Sequence, residues 1–261
     1  MRLCPLLIAM FVAATAAHAQ TVWPKGKAAA IVLTYDDALT SQLDIAIPQL
    51  DAARFKGTFF LSGRLTPAAL NRWQKAQRKG HELGNHSVNH PCPRAMLPDR
   101  ADHHADDYTI ERMLDEIAAM NLALSAVDGR DSRTYSVPCS QMFVGGADYT
   151  DALRRSTLVK YVRTGGDAWK SVVAQPAGLD VFQVPSYGPV DEPGADELIA
   201  YVERVRAARG LGVLQFHGVG GDYLEVTAEA HAALLKHLRK SPDIWVGTFQ
   251  DVMDYVTSPT R

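Results

Sequence analysis

The chain is short of most features that mark the large functional classes. It has no block of Lys or Arg, no basic stripe interleaved with aromatics, and a formal net charge of only -2, so nothing points to a nucleic acid or another polyanion as partner. No Gly-x-Ser-x-Gly elbow announces a serine esterase. The glycines at 218, 220 and 221 lack the Lys-Ser/Thr that completes a phosphate loop. No Pro/Gly/Ser linker, repeat or low-complexity stretch divides the sequence. Past residue 17 no segment approaches the about 20 apolar residues that a membrane helix needs. Cysteine is scarce, with three in 261 residues, so the fold must rest on a hydrophobic core; at 47% hydrophobic residues one domain can build it.

The first residues differ from the rest. Arg2 precedes an apolar run over 3–17, and Ala17-His18-Ala19 supplies the small residues of a signal-peptidase site. The expected organisation is a signal peptide at 1–19 and a single mature domain at 20–261. The mature protein is expected in the periplasm or secreted, with no membrane span once the signal is cleaved. Cys4 sits too early in the run to be a lipidation cysteine. In an oxidising compartment the remaining pair, Cys92 and Cys139, can form a disulfide.

Along the mature chain, apolar β-branched runs alternate with helical patterns. Strands are expected at 28–34, 57–61, 81–84, 134–137, 158–162, 181–184, 212–216 and 245–248. Helices are expected at 40–53, 67–79, 108–127, 196–209 and 227–240, with one more at the C-terminus. The helix at 67–79 opens on Pro67 and stops before Gly80; that at 108–127 repeats Ile110, Met113, Leu114, Ile117 and Met120 at helical spacing. This alternation implies an α/β fold with a mostly parallel sheet, and so many units suggest a barrel, whose chemistry collects at the C-terminal strand ends.

Three reactive clusters fall at such ends. Asp36 and Asp37 close the first strand; adjacent carboxylates point in different directions, so one can bind a cation while the other faces substrate. By themselves they are equally a turn that caps the next helix. His86 and His90 are four apart, which on a helical turn would put both imidazoles on one face. Two histidines and a carboxylate form a recurring catalytic metal set, although an isolated His-x-x-x-His is often just surface. His217 follows the strand at 212–216 and precedes Gly218-Val219-Gly220-Gly221; its neutral-range pKa suits proton donation, and a core histidine is the plainer alternative. His103-His104, among Asp102, Asp106 and Asp107, read as a solvated loop, and His231 and His237 as surface residues of a helix.

Thr34-Tyr35-Asp36-Asp37, His86-Ser87-Val88-Asn89-His90 and Leu214-Gln215-Phe216-His217, in this order, resemble the signature of polysaccharide deacetylases, carbohydrate esterase family 4 with the nodulation-factor-deacetylase homology domain. Phe55-Lys56-Gly57-Thr58-Phe59-Phe60 and Gly80-His81-Glu82-Leu83-Gly84-Asn85 are similar to that family's connecting segments, and the likeness spans about residues 28–255. The resemblance implies a distorted (β/α) barrel in one domain, with a divalent metal held by Asp37, His86 and His90. The metal is usually zinc, with cobalt, nickel or manganese as substitutes. It further implies Asp36 as general base, His217 as general acid, and an acetylated oligo- or polysaccharide as substrate.

Two stretches depart from the family pattern. Where the family shows Arg-x-Pro-Tyr or Arg-x-Pro-Phe, with the Arg orienting the base, this chain has Ser136-Val137-Pro138-Cys139, and Ser136 cannot make a bidentate pair with Asp36. Arg163 is the candidate replacement for that cation. With the Pro138 backbone kept, the Cys139 N–H becomes the oxyanion donor. The family's Asp near a Trp corresponds here to Asp167-Ala168-Trp169. The loops bearing Cys92 and Cys139 should rim one cleft, so the resemblance implies that these two are bridged. Two other readings stay open: hydrolysis of a non-carbohydrate C–N bond on the same scaffold, and a non-catalytic glycan-binding relative.

Overall fold

In a computed structural model of the protein, residues 23–63 and 65–258 are described; the expected signal peptide, 1–19, lies outside them. The chain runs β1 (Ala29–Asp36), α1 (Ile47–Ala53), β2 (Thr58–Leu61), α2 (Pro67–Arg78), β3 (Glu82–Asn85), α3 (Ile110–Asp128) and β4 (Thr134–Ser136). It continues through β5 (Phe143–Val144), β6 (Ala147–Asp148), α4 (Thr150–Ser156), β7 (Tyr161–Arg163), α5 (Ala195–Ala207), β8 (Leu211–Phe216), α6 (Ala228–Lys240), β9 (Ile244–Gly247) and α7 (Phe249–Thr257).

The main sheet is parallel, in the order β7-β4-β3-β2-β1-β8, with β9 pairing the first half of β1 and β2 its end. It curls, and one segment spans the gap between its edges: Val184 bridges to Arg163 of β7, and Tyr187 bridges to Leu214 of β8. The result is a barrel, as the alternation suggested, and the distorted (β/α) form that the family resemblance implied. The strand read at 181–184 is this bridging segment, held by single bridges rather than a ladder.

Strand alternation explains what faces the barrel axis. On β1, Ala29, Ile31, Leu33 and Tyr35 pack outward with Leu50, Phe59 and Trp73 under the helices, whereas Ala30 and Val32 pack inward with Phe60, Tyr161 and Val213. The inward row of β1 therefore ends on Thr34 and Asp36, both buried at the mouth. Outside, Tyr35 stacks on Phe59 with ring centroids 4.7 Å apart, an arrangement worth about 0.5–1.5 kcal/mol beyond the buried area. Inside, a Cβ on Gly84 would meet the Phe60 ring at 2.4 Å, so β3 can pass only with glycine there.

Helix ends follow their local signals. Thr66 accepts from Ala69 N at 3.2 Å ahead of Pro67, and Thr109 accepts from Arg112 N at 3.1 Å before α3, which stops at left-handed Gly129. The helix expected over 40–53 opens instead with a π turn, Gln42–Ala46. Among the described residues, no helix is long and apolar enough to cross a membrane.

Candidate active site

The site begins with a break in strand geometry. Continued extension would send the side chains of residues 36 and 37 to opposite faces. Asp37 instead has φ 77° and Ala38 φ 56°, a left-handed pair that turns the chain at the mouth, where Asp37 N donates to Phe60 O at 3.1 Å. Both carboxylates consequently reach one imidazole: His86 Nε2 lies 3.7 Å from Asp36 Oδ2 and 3.4 Å from Asp37 Oδ1.

His86 and His90 are neighbours, but no helix brings them together, contrary to the helical-turn reading of their spacing. Ser87 and His90 have positive φ, Ser87 N donates to Asn85 Oδ1 at 2.7 Å, and His90 N donates to Ser87 Oγ at 3.0 Å. These local side-chain bonds compete with a helical ladder and fold the segment into a tight loop. Arg100 clamps the loop by donating to the carbonyls of Asn89 and His90. The rings meet edge-on with centroids 4.6 Å apart, and the two Nε2 atoms are 3.1 Å apart. His90 Nε2 is 3.4 Å from Asp37 Oδ1.

The outer nitrogen of His86 fixes its tautomer. His86 Nδ1 donates to Ser136 O at 2.7 Å, and His90 Nδ1 faces Cys92 Sγ at 3.4 Å. His86 then directs its Nε2 lone pair, and His90 in the same tautomer directs its own, at the same point as Asp37 Oδ1. Two lone pairs 3.1 Å apart repel unless a proton or cation lies between them. The three donor separations, 3.1, 3.4 and 3.4 Å, match the about 3.3 Å ligand–ligand edge of a tetrahedral site with bonds of about 2.0–2.1 Å. Charge states agree with that donor set. Burial pushes the Asp37 carboxyl up, but His86, His90, His217 and the Tyr223 hydroxyl together hold it below its ordinary value. Burial, and next the adjacent His86, pull His90 down to about 4 against Asp37 and Asp36. A carboxylate and neutral imidazoles are the forms that bind a divalent cation, and these residues fit one.

Asp36 is held from one side only. Its Oδ2 accepts from Arg163 Nη2, from Gln215 Nε2 at 3.2 Å and from Ser136 Oγ at 3.4 Å. Its Oδ1 is buried with no partner among the described residues. Arg163 lies inside β7, which runs through that residue rather than stopping at 162, and it pairs directly with Ser136 of β4. Its guanidinium also donates to Ser136 Oγ and, at 2.8 Å, to Ser186 Oγ, with Phe60 beneath it. Burial pulls this guanidinium down while Asp36 pulls it back up.

His217 stands across the mouth, Nε2 3.8 Å from Asp37 Oδ2, its carbonyl held by Gln42 Nε2 at 3.0 Å. Burial lowers its pKa against the pull of Asp36 and Asp37. A disulfide joins Cys92 to Cys139, with Cα atoms 5.6 Å apart, and ties the loop after His90 to the turn Pro138–Ser140, in which Cys139 is left-handed at φ 50°. With both sulfurs bridged, Asp37, His86 and His90 are, among the described residues, the group that could hold a metal ion with all its donors available.

Other candidates lie elsewhere. Asp167 is not drawn into the cluster: its half-exposed carboxylate accepts from Trp169 N at 2.8 Å and Lys170 N at 2.9 Å in its own turn. His104 is buried, not solvated, and donates from Nε2 to Arg100 O at 2.8 Å, while His103 lies beside Tyr108 and Asp102. His231, expected at the surface, is fully buried under β1, with Tyr35 OH 2.7 Å from Nε2 and Gln49 Oε1 2.6 Å from Nδ1. The helix that carries it is buried along the face that includes 231, which its own spacing with Leu234, Leu235 and Leu238 signals.

Two polar groups of the site, Gln215 and Tyr223, have no role that the motifs of the sequence assign. Gln215 occupies an inward position of β8 with Leu211 and Val213, and a polar residue in that row was the available signal. Tyr223, whose hydroxyl donates to Asp37 Oδ2 at 2.8 Å, sits in the glycine-rich loop after His217, and nothing local forecasts its reach.

Comparison with known proteins agrees with this architecture. Residues 24–156 match the family model described as polysaccharide deacetylase. A gellan lyase from Bacillus sp is 22% identical over 247 residues, 90% of this chain; the chain spans about a tenth of that protein's length, 10%. Among solved structures, a candidate polysaccharide deacetylase from Mycobacterium smegmatis aligns with TM-score 0.65 at 18% identity, covering 94% of this chain and 98% of that one. A family 4 pseudoenzyme from Bacillus anthracis aligns with TM-score 0.54 at 17% identity, covering 87% of this chain and 66% of that one.

Proposed function

Since the chain belongs to the polysaccharide deacetylase family, we propose that it is an exported, metal-dependent hydrolase that removes acetyl groups from a glycan. The bond cleaved is the amide of an N-acetylglucosamine-containing chain or the ester of an O-acetylated polysaccharide such as xylan. The observation that carries this reading is the convergence of three donor atoms, all within 3.4 Å of one another, beside a buried carboxylate oxygen with no partner.

On this reading Asp37, His86 and His90 hold the divalent cation, zinc by preference for its nitrogen and carboxylate ligands. When bound, such a cation supplies Lewis acidity toward the acetyl carbonyl and toward water. Asp36 is the general base: with Oδ2 engaged by Arg163 and Gln215, Oδ1 is the oxygen free to take the water proton. Arg163 is its positioning residue, reaching over the small Ser136 from the neighbouring strand. The water oxygen bonds to the acetyl carbon, the C–N or C–O bond breaks, and His217 gives its proton to the departing sugar atom. The Cys139 N–H stabilises the oxyanion. The Cys92–Cys139 disulfide supports export, because such bonds persist in oxidising compartments.

Metal analysis of the 20–261 chain, with acetate release from acetylated chitooligosaccharides, acetylxylan and peptidoglycan, tests the proposal. One divalent ion per chain and chelator-sensitive acetate release from at least one glycan are expected. Bound zinc without acetate from any of them would turn the reading toward a non-carbohydrate amide or a non-catalytic protein.

A further inference from the structure

Among the described residues, the large apolar side chains left exposed lie, apart from Leu122 on α3, in stretches that follow the C-terminal ends of the parallel strands. Met96 and Leu97 follow β3, Phe143 follows β4, Trp169 and Val190 follow β7, and Tyr223 and Leu224 follow β8.

Among these exposed side chains, Tyr223 bonds a carboxylate of the site. It sits on a loop pinned from both ends. Gly218 N donates to Tyr223 O at 3.1 Å, Gly220 N to Val226 O at 2.8 Å, and Val226 N to Gly218 O at 3.0 Å. Asp222 Oδ2 accepts from Ser41 N at 2.8 Å, and a Cβ on Gly218 would meet Gly221 O at 2.1 Å. The loop thus holds the Tyr223 hydroxyl 2.8 Å from Asp37 Oδ2 and its ring 6.1 Å from the His217 ring, while the residue stays 52% exposed.

We propose that Tyr223 does two things at this site: its hydroxyl positions Asp37 toward His86 and His90, and its open ring face is the platform for the pyranose ring of the acetylated sugar. The inference rests on the reading in the preceding subsection and names the residue that selects sugars within it. The hydroxyl distinguishes the two carboxylate oxygens. Oδ2 is engaged by the phenol, which leaves Oδ1 to face both Nε2 atoms at 3.4 Å. Without the phenol, Oδ2 is free to turn to His217 Nε2, already 3.8 Å away, and ligand and acid would occupy each other. The ring provides what a pyranose needs, an apolar surface for its C–H face beside polar groups for its hydroxyls.

Two substitutions separate the roles. Zinc affinity is measured by competition with a chromophoric chelator for wild type, Tyr223→Phe and Tyr223→Leu. Both variants should bind zinc about tenfold more weakly, as removal of an outer-shell partner does. At saturating zinc, Tyr223→Phe should keep KM for the acetylated oligosaccharide within about twofold, whereas Tyr223→Leu should raise it about tenfold, the scale of one aromatic contact. Turnover of 4-nitrophenyl acetate, which lacks a pyranose, should be alike in the two variants. Wild-type zinc affinity in Tyr223→Phe overturns the positioning role, and wild-type KM in Tyr223→Leu overturns the platform. Should wild type release acetate from no glycan, the functional reading falls, while the zinc measurements still decide whether Tyr223 positions Asp37.

Discussion

Residues 24–156, the part matched by the family model, and residues 157–258 contribute to the same cleft in different ways. The first region supplies Asp36, Asp37, His86, His90 and the Cys92–Cys139 disulfide, a grip assembled around β1, β3 and β4. The second supplies Arg163, Gln215, His217 and Tyr223, and each of these side chains faces a carboxylate of the first: Arg163 and Gln215 on Asp36 Oδ2, Tyr223 and His217 on Asp37 Oδ2. The division teaches that compact motifs can bring a donor set together, while the groups that orient it come from whichever strand the barrel lays alongside.

The strongest way to break this comparison is to separate grip from chemistry. Asp36→Asn should lower kcat about 10²–10⁴-fold while the purified protein keeps its metal, and His86→Ala should lose metal and activity together. Turnover at the wild-type rate in Asp36→Asn would remove Asp36 as base. Next in size is the recruited cation. Arg163→Ser leaves the buried Asp36 carboxylate without its counter-charge, a loss of about 3–5 kcal/mol in denaturant unfolding. Adding Ser136→Arg, on the residue paired with 163 across β4 and β7, should recover most of the stability and of kcat. A double variant no better than the single one would show that the position of the charge, not its presence, is what Asp36 requires.

The disulfide sharpens the contrast from the other side, because it belongs wholly to the first region. Cys92→Ser with Cys139→Ser, opening a link between residues 47 apart, should cost about 2–4 kcal/mol. Amide exchange should rise in the loops after β3 and β4 and stay unchanged in β8; a uniform rise would contradict a local clamp.

The smallest effect is shared by the two regions, since each buries a neutral histidine. Burial is the leading cause that lowers His81 to about 4 and His231 to about 3 from 6.5. His81 Nδ1 accepts from Gly57 N at 3.1 Å, and both ring nitrogens of His231 are hydrogen-bonded, so the neutral tautomers are satisfied where they lie. Both folded pKa values lie below the unfolded one, so the unfolded chain binds more protons in acid. Their contribution is present above about pH 6.5 and is lost as pH falls through the window toward 4, by about 1.4 kcal/mol per pH unit for each fully linked proton. Urea melts at pH 7, 6 and 5 should show a shallower decline for His231→Gln than for wild type, and parallel declines would exclude His231 as a linked group.

What the sequence determined by itself is local. The apolar β-branched runs, the helical spacing of apolar residues, and Pro67 and Gly80 at the ends of a helix forecast the order of the elements, and the strand ends bearing Asp36, Asp37, His86 and His217 marked the mouth of the barrel. These signals are legible because the forces behind them act between residues a few positions apart. The tertiary structure alone decided the rest. The left-handed turn at Asp37 aims two neighbouring carboxylates into one cleft, and the loop at 86–90 replaces an expected helical turn with side-chain bonds. The pairing of Ser136 with Arg163 sets a guanidinium against Asp36, the loop after β8 carries Tyr223 to Asp37, and His231 disappears beneath β1. Each of these contacts joins residues that are neighbours only after the sheet has curled and its register is set. Composition and spacing limit which partners are chemically suitable, and closure of the barrel selects among them.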